Sequence, residues 1–350
     1  MDTRRNFRCI VLFFFLVLSL ARNPVCKGFG NPKELDLITT NVNSNITKKF
    51  INLLLNNCKG NKFFRNLEIH KSYPKFGNIS EWKHACFRNS QHSNRNASIL
   101  SKYFDLNLIS LEAGKLTAYY QPNISVSYKK NEFFKYPILK KRDGLLIERK
   151  KILQEYKLND VLLWTNDDVE LFFLQIQGSG VGVFEDGTKI NISYGGNNGF
   201  EYKSIGQTMV KDGLIKTSQI NAIEIKKWLK NNSHQKVKIL NSNKRFIFFK
   251  LSTNKNAFPT GSFGEILVPY LSIAIDKRIY PYGLPFFLET KRKDLSLFTL
   301  SADTGAAIKG PNRADIFLGS GDKIGEKAGK VNEKLIMYFL KPRRVSESNE

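Results

Sequence analysis

Three aspartates, Asp303, Asp315 and Asp322, stand within the twenty residues 303–322, separated by glycines and bordered by small or apolar neighbours. A carboxyl group held on a rigid strand end beside apolar side chains can have its pKa raised, and can then serve as a general acid near neutral pH. If residues 313–318 form a strand, Arg313, Asp315 and Phe317 share one face while Ala314, Ile316 and Leu318 turn to the core. Phe317 would keep the Asp315 carboxyl dry and raise its pKa, whereas Arg313 would stabilise the anion. The sequence leaves the sign of the sum open. The same pattern also fits carboxylates that cap turns at glycine-rich corners, which is the commoner use of such residues.

The elements that must position these carboxylates are legible in outline. Apolar residues recur at helical spacing between Asn45 and Phe104, as in Phe50, Leu53 and Leu54 and again in Trp82, Ala85 and Cys86, which predicts two or three helices. After Leu116 the texture changes to short β-type runs. Residues 171–177, 189–194 and 246–250 read as strands, with turns at 178–180, 186–187 and 195–199. One helix, near 218–230, interrupts them. Strands return at 271–275, 285–288, 297–300 and 335–340, so the chain reads as mainly β with N-terminal helices, built as barrels and not as a doubly wound sheet.

With 41% hydrophobic residues the chain can bury a core for two domains, and its net charge of +24 implies attraction to a polyanion. Nucleic acid, an anionic lipid surface and an acidic cell-wall polymer all satisfy that charge. Lysine is spread along the whole chain with no aromatic-basic module, so a nucleic-acid binder is the weakest of the three. Arg4, Arg5 and Arg8 precede an apolar run at 9–20, and Ser19-Leu20-Ala21 supplies small residues at the two cleavage-site positions, the layout of a secretory signal peptide covering residues 1–21. Residues 22–43 read as a linker. Cys26 follows Asn23-Pro24-Val25, a poor lipoprotein cleavage site, so a lipid anchor there is not favoured. Export makes a Cys58–Cys86 disulfide compatible with the sequence, worth roughly 3 kcal/mol by loop closure, but two buried thiols fit as well. The four histidines, His70, His84, His92 and His234, are isolated and lack ligand spacing with the cysteines, which predicts no metal.

Four blocks in order resemble the membrane-bound lytic transglycosylase A family, family 102 of the glycoside hydrolases. They are Leu116-Thr117-Ala118-Tyr119-Tyr120-Gln121-Pro122; Leu174-Gln175-Ile176-Gln177-Gly178-Ser179-Gly180; the run from Ser193-Tyr194-Gly195-Gly196-Asn197-Asn198-Gly199 to Gly206; and the aspartate segment, with Ser272-Ile273-Ala274-Ile275-Asp276 and Ile279-Tyr280-Pro281-Tyr282-Gly283 before it. The first block departs from the family's Thr-Gly-Tyr-Tyr-Glu-Pro pattern at Ala118 and Gln121. Cys58 and Trp82-Lys83-His84-Ala85-Cys86 are also similar to the family's N-terminal region, which favours the disulfide.

The resemblance implies a double-psi β-barrel domain from residues 44–116 and 250–341, an inserted smaller β-barrel at 117–249, a tail at 342–350, and a glycan groove between the barrels. It implies cleavage of the β-1,4 bond between N-acetylmuramic acid and N-acetylglucosamine of peptidoglycan, with closure of a 1,6-anhydro ring. The substrate's own 6-hydroxyl attacks, so a single carboxyl can act first as acid and then as base. By match to the family that carboxyl is Asp315, with Asp303 assisting and Asp322 and Asp276 structural. Gln175, Gln177, Gly178, Ser179, Tyr120 and Lys309 are the expected substrate contacts; Gln175 and Gln177 would share a strand face, and of the adjacent Tyr119 and Tyr120 at least one belongs to the core. No cofactor is expected. The expected partner is the peptidoglycan glycan strand, met by a monomer in the bacterial periplasm or on the periplasmic face of the outer membrane, with no nucleic acid. Ala118 and Gln121 keep a rival alive, an expansin-like wall-binding protein that has lost cleavage.

Overall fold

A computed structural model describes residues 44–91, 98–142, 144, 146–252 and 258–343. The expected signal peptide, linker and Cys26 lie outside these residues, as does the tail from residue 344. Four helices, not two or three, open the described chain: Ser44–Lys59, Asn61–Ile69, Ile79–Ser90 and the short Ser98–Tyr103. The first buries Phe50, Ile51, Leu54 and Leu55 along one stripe. The third starts at a capping box in which Asn78 Oδ1 accepts from the Glu81 amide and Glu81 Oε2 accepts from the Asn78 amide, both at 2.9 Å. Its Trp82 is fully buried against Phe63 and Phe104, and the indole N–H donates to the Phe76 carbonyl at 2.9 Å. A Cys58–Cys86 disulfide ties the first helix to the third.

Thirteen strands follow: β1 (Phe104–Leu108), β2 (Gly114–Gln121), β3 (Asn123–Ser127), β4 (Tyr136–Leu139), β5 (Val161–Thr165), β6 (Gly180–Val183), β7 (Lys189–Asn197), β8 (Ile247–Ser252), β9 (Ser272–Ala274), β10 (Pro285–Glu289), β11 (Phe298–Asp303), β12 (Arg313–Ser320) and β13 (Asn332–Pro342). One sheet runs β1-β13-β10-β11-β9-β12-β2, and an added β13–β2 pairing closes its last six strands into a barrel. The other runs β4-β5-β3-β6-β7-β8, and a Lys140–Phe249 bridge brings its two ends together. This is the expected mainly β architecture with N-terminal helices and two β units.

Details differ from the sequence reading. β2 runs through residues 116–117, so the chain leaves the first sheet at Gln121-Pro122, not at 117. β13 continues to Pro342, paired with Phe104, inside the segment expected to be tail. Residues 171–177 are not a strand but part of a helix, Asp168–Gln177, capped by the Asp167 side chain and ended by Gly178 at φ 81°. Its Leu171 and Leu174 pack into the second sheet, while Val169, Phe172 and Phe173 pack against helices on the other side. A helix buried on both sides loses the one-sided periodicity that would have revealed it. Its partners include Ile205–Lys211, Ala222–Asn231 and Ser233–Ser242, where a single helix was expected. The 195–199 segment is no simple turn either: β7 continues through a bulge at Gly195-Gly196 to Asn197, and a Cβ on Gly195 would lie 2.6 Å from the Phe249 backbone.

Candidate active site

β12 carries the central residues, and its two faces separate as the alternation requires. Ala314, Ile316 and Leu318 enter the main core, whereas Phe317 lies with Tyr119, Leu267, Ala274, Ala302 and Ile308 in a smaller cluster on the other face. Asp315 shares that second face. The register then assembles a row across four strands: Asp303 of β11 opposite Ala274 of β9, Ala274 opposite Asp315 of β12, and Asp315 opposite Thr117 of β2. Two strand spacings put the Asp303 and Asp315 backbones about 10 Å apart, with only the methyl of Ala274 between them.

The two carboxylates are held very differently. Asp303 Oδ1 accepts from the Ser262 hydroxyl at 2.6 Å, the Ser262 amide at 2.9 Å and the Thr304 amide at 2.9 Å, and its Oδ2 accepts from the Tyr119 hydroxyl at 3.2 Å. Burial nevertheless raises its pKa against these donors. Asp315 has a single donor, the Thr117 hydroxyl on Oδ1 at 2.5 Å, and its Oδ2 has no hydrogen-bond partner among the described residues. Burial pushes the Asp315 pKa up to about 6, and the nearby Asp303 adds to the rise, while Arg313, the Thr117 hydroxyl and Lys115 oppose it. The open sign is settled: desolvation outweighs the guanidinium.

Arg313 acts at one remove. Its Nη2 donates to Thr117 Oγ1 at 2.8 Å, and its Nη1 donates to the Ala314 and Lys115 carbonyls. The Thr117 hydroxyl therefore accepts from the guanidinium and gives its proton to Asp315, which orients that hydrogen bond. Burial pulls the pKa of Arg313 down from its usual value, although the charge persists.

Of the other expected site residues, some belong here and some do not. Tyr119, not Tyr120, is the tyrosine on the aspartate face, and burial drives its phenol pKa up well beyond the ordinary value. Tyr120 points to the opposite face, against Gly325, where a Cβ would lie 2.6 Å from its ring. Gln177 Oε1 accepts from the Tyr120 amide at 3.1 Å, so the Gln177-Gly178-Ser179 corner sits where β2 leaves the barrel, roughly 10 Å along the strand from Thr117. Gln175 does not share a face with Gln177, because on a helix the two diverge. Its side chain is buried and donates to the Ile247 carbonyl at 3.3 Å, which removes it from the substrate contacts. Lys309 is exposed, 3.6 Å from Glu201 on the other β unit. Asp276 is buried and paired with Arg278 at 2.6 Å, its pKa held far below the usual range first by that pairing; Asp322 opens the Asp322–Gly329 helix at an exposed position.

Thr117 and Ser262 were not singled out. Thr117 had a signal, its i, i+2 alternation with Tyr119. Ser262 had none, being 41 residues from Asp303 in sequence. It reaches the carboxylate because Gly261 packs on the Ala302 carbonyl so closely that a Cβ would lie 2.4 Å from that oxygen.

The fold and site define a two-barrel protein that lays one saturated and one titratable carboxyl side by side on a barrel wall. The family model described as the MltA specific insert domain matches residues 145–250, and the 3D domain model matches residues 271–341. Among curated proteins, the chain is 30% identical over 244 residues to the membrane-bound lytic murein transglycosylase A homolog of Buchnera aphidicola and 31% identical over 242 residues to membrane-bound lytic murein transglycosylase A of Escherichia coli. These matches cover 65% of this chain and 66% and 65% of those proteins' own length. Among solved structures, the membrane-bound lytic murein transglycosylase from Agrobacterium tumefaciens superposes with TM-score 0.74 at 24% identity, covering 85% of this chain and 93% of that one. E. coli MltA with bound chitohexaose superposes with TM-score 0.66 at 24% identity, covering 81% and 88%. The chain belongs to the membrane-bound lytic murein transglycosylase A family.

Proposed function

We propose that this protein is a lytic transglycosylase that cleaves the β-1,4 bond between N-acetylmuramic acid and N-acetylglucosamine in peptidoglycan and leaves a 1,6-anhydro ring. One observation carries the reading: of the paired carboxyls, Asp303 is engaged at both oxygens, whereas Asp315 keeps an open oxygen and a pKa of about 6. Such a group is protonated in a useful fraction near pH 6 and is also a competent base once ionised. In the proposed reaction Asp315 donates its proton to the glycosidic oxygen as the bond to the muramic anomeric carbon breaks. The resulting carboxylate takes the proton of the 6-hydroxyl as that oxygen attacks the same carbon, which regenerates the acid. No water is consumed. Asp303, held by four donors, is assigned the role of stabilising positive charge that develops on the sugar ring. Gln177, Gly178, Ser179 and Lys309 are the remaining proposed substrate contacts, and no cofactor takes part.

The names of the relatives support this reading, as does the chitohexaose held by the E. coli protein. The rival, a wall-binding protein without cleavage, rested on Ala118 and Gln121. Ala118 packs against the main core and Gln121 Oε1 accepts from Ser320 at 2.7 Å, so neither departure touches a carboxylate. The proposed setting is the periplasm or the periplasmic face of the outer membrane, with the protein a monomer. The Cys58–Cys86 disulfide fits an oxidising compartment, and no helix among the described residues is long and apolar enough to cross a membrane. Digestion of purified peptidoglycan followed by mass spectrometry tests the proposal. Anhydro-muropeptides that vanish with Asp315→Ala are expected; reducing-end products would make it a hydrolase, and binding without products would restore the rival.

A further inference from the structure

Asp276 does more than fix a turn. Its buried carboxylate grips Arg278 through Nε at 2.9 Å and Nη2 at 2.6 Å, and also accepts from the Gly310 amide at 2.9 Å. Arg278 is thereby oriented by Asp276, which also ties this turn to the loop that carries Lys309, while Nη1 has no hydrogen-bond partner among the described residues. Beside it opens a recess of about 380 Å³ lined by Asn66, Ile69, His70, Lys71, Lys277 and Arg278. The seam is built, not incidental. Asn66 donates to the Tyr282 carbonyl at 2.7 Å, His70 Nδ1 accepts from the Ser72 amide at 3.2 Å, and His70 Nε2 lies 3.0 Å from the Lys277 carbonyl. The fixed positive charge of the recess comes from Lys71, Lys277 and Arg278. Neither lysine has an acidic partner among the described residues. Arg278 also feels the charge of Glu201 on the other β unit, which sets the recess beside the Lys309–Glu201 crossing. Ile69, 76% exposed, adds an apolar contact at the same place.

We propose that this recess is a binding site for the carboxylates of the acidic peptides attached to peptidoglycan strands, distinct from the aspartate row that faces the sugars. It rests on the peptidoglycan reading above. A preorganised guanidinium with free donors, two unpaired ammonium groups and one exposed apolar side chain suit a peptide carboxylate with a small apolar side chain better than a neutral sugar. Arg278, being committed to Asp276, supplies direction; Lys71 and Lys277 supply the net charge.

The test measures binding by co-sedimentation with intact sacculi and with sacculi stripped of peptides by an amidase, in an Asp315→Asn background that prevents digestion. Lys71→Gln with Lys277→Gln is expected to weaken binding to intact sacculi five- to tenfold and to leave stripped sacculi unaffected. Lys151→Gln with Lys227→Gln, which removes the same charge elsewhere, is expected to change neither. Equal weakening on both sacculi, no weakening, or the same loss from the remote pair would overturn the proposal. A wild-type chain that makes anhydro products yet binds both sacculi equally fails here alone. One that prefers intact sacculi but makes no products fails only the catalytic reading.

Discussion

Replacing Asp315 with asparagine should stabilise the protein, and only above a definite pH. The Asp315 pKa rises from 3.8 to about 6 on folding, chiefly through burial. The folded chain therefore binds this proton more tightly than the unfolded chain does. As pH rises from about 4 to 6 the unfolded state releases the proton first, so stability falls across that window and the full cost is present above it. A shift of this size corresponds to about 3 kcal/mol, and the partial exposure of the side chain trims it to about 2. Asparagine keeps an oxygen for the Thr117 hydroxyl but carries no charge to desolvate. Thermal unfolding of wild type and Asp315→Asn, followed by circular dichroism at pH 4 and pH 8, should show equal melting temperatures at pH 4. At pH 8 the variant should melt higher, by roughly 4 to 8 °C. A variant equally or less stable at pH 8, or a gain that is the same at both pH values, would refute the claim that Asp315 is a desolvated carboxylate.

Wild-type kcat/KM should fall as pH rises through about 6, because the acid form of Asp315 begins the reaction. Thr117→Val removes a hydrogen bond that lowers this pKa, so the alkaline limb of the pH profile should move upward while kcat at its optimum drops about tenfold. Tyr119→Phe deletes a donor to Asp303 and should cost about 1 kcal/mol of stability, read from urea midpoints, with a larger effect on kcat than on KM. Reduction of Cys58–Cys86 should lower stability by roughly 3 kcal/mol in urea unfolding, whereas a Cys58→Ala, Cys86→Ala double variant should ignore the reductant.

The sequence carried the aspartate face because strand alternation is strict: Arg313, Asp315 and Phe317 could be put on one side of β12 before any contact was known, and they lie there. The same rule separated Tyr119 from Tyr120 without saying which one met the carboxylates. That answer lies in the pairing of β2 with β12, a relation between residues some 200 positions apart. The Asp168–Gln177 helix was hidden by its double burial, and with it the divergence of Gln175 from Gln177. Ser262 was illegible for a different reason. An isolated serine in a loop bears no pattern, and only the glycine before it lets the chain approach Asp303 closely enough to donate twice. The balance on Asp315 was likewise beyond the sequence, since neighbours can be read from a strand but depth of burial cannot.

The central claim is that one titratable carboxyl suffices because the substrate supplies its own nucleophile. Digestion of peptidoglycan in water enriched in heavy oxygen tests it most directly. Intramolecular attack predicts muramic products that carry no heavy oxygen at the anomeric carbon. Incorporation of the label there, in products absent with Asp315→Ala, would mean that water attacks and that the proposed mechanism is wrong.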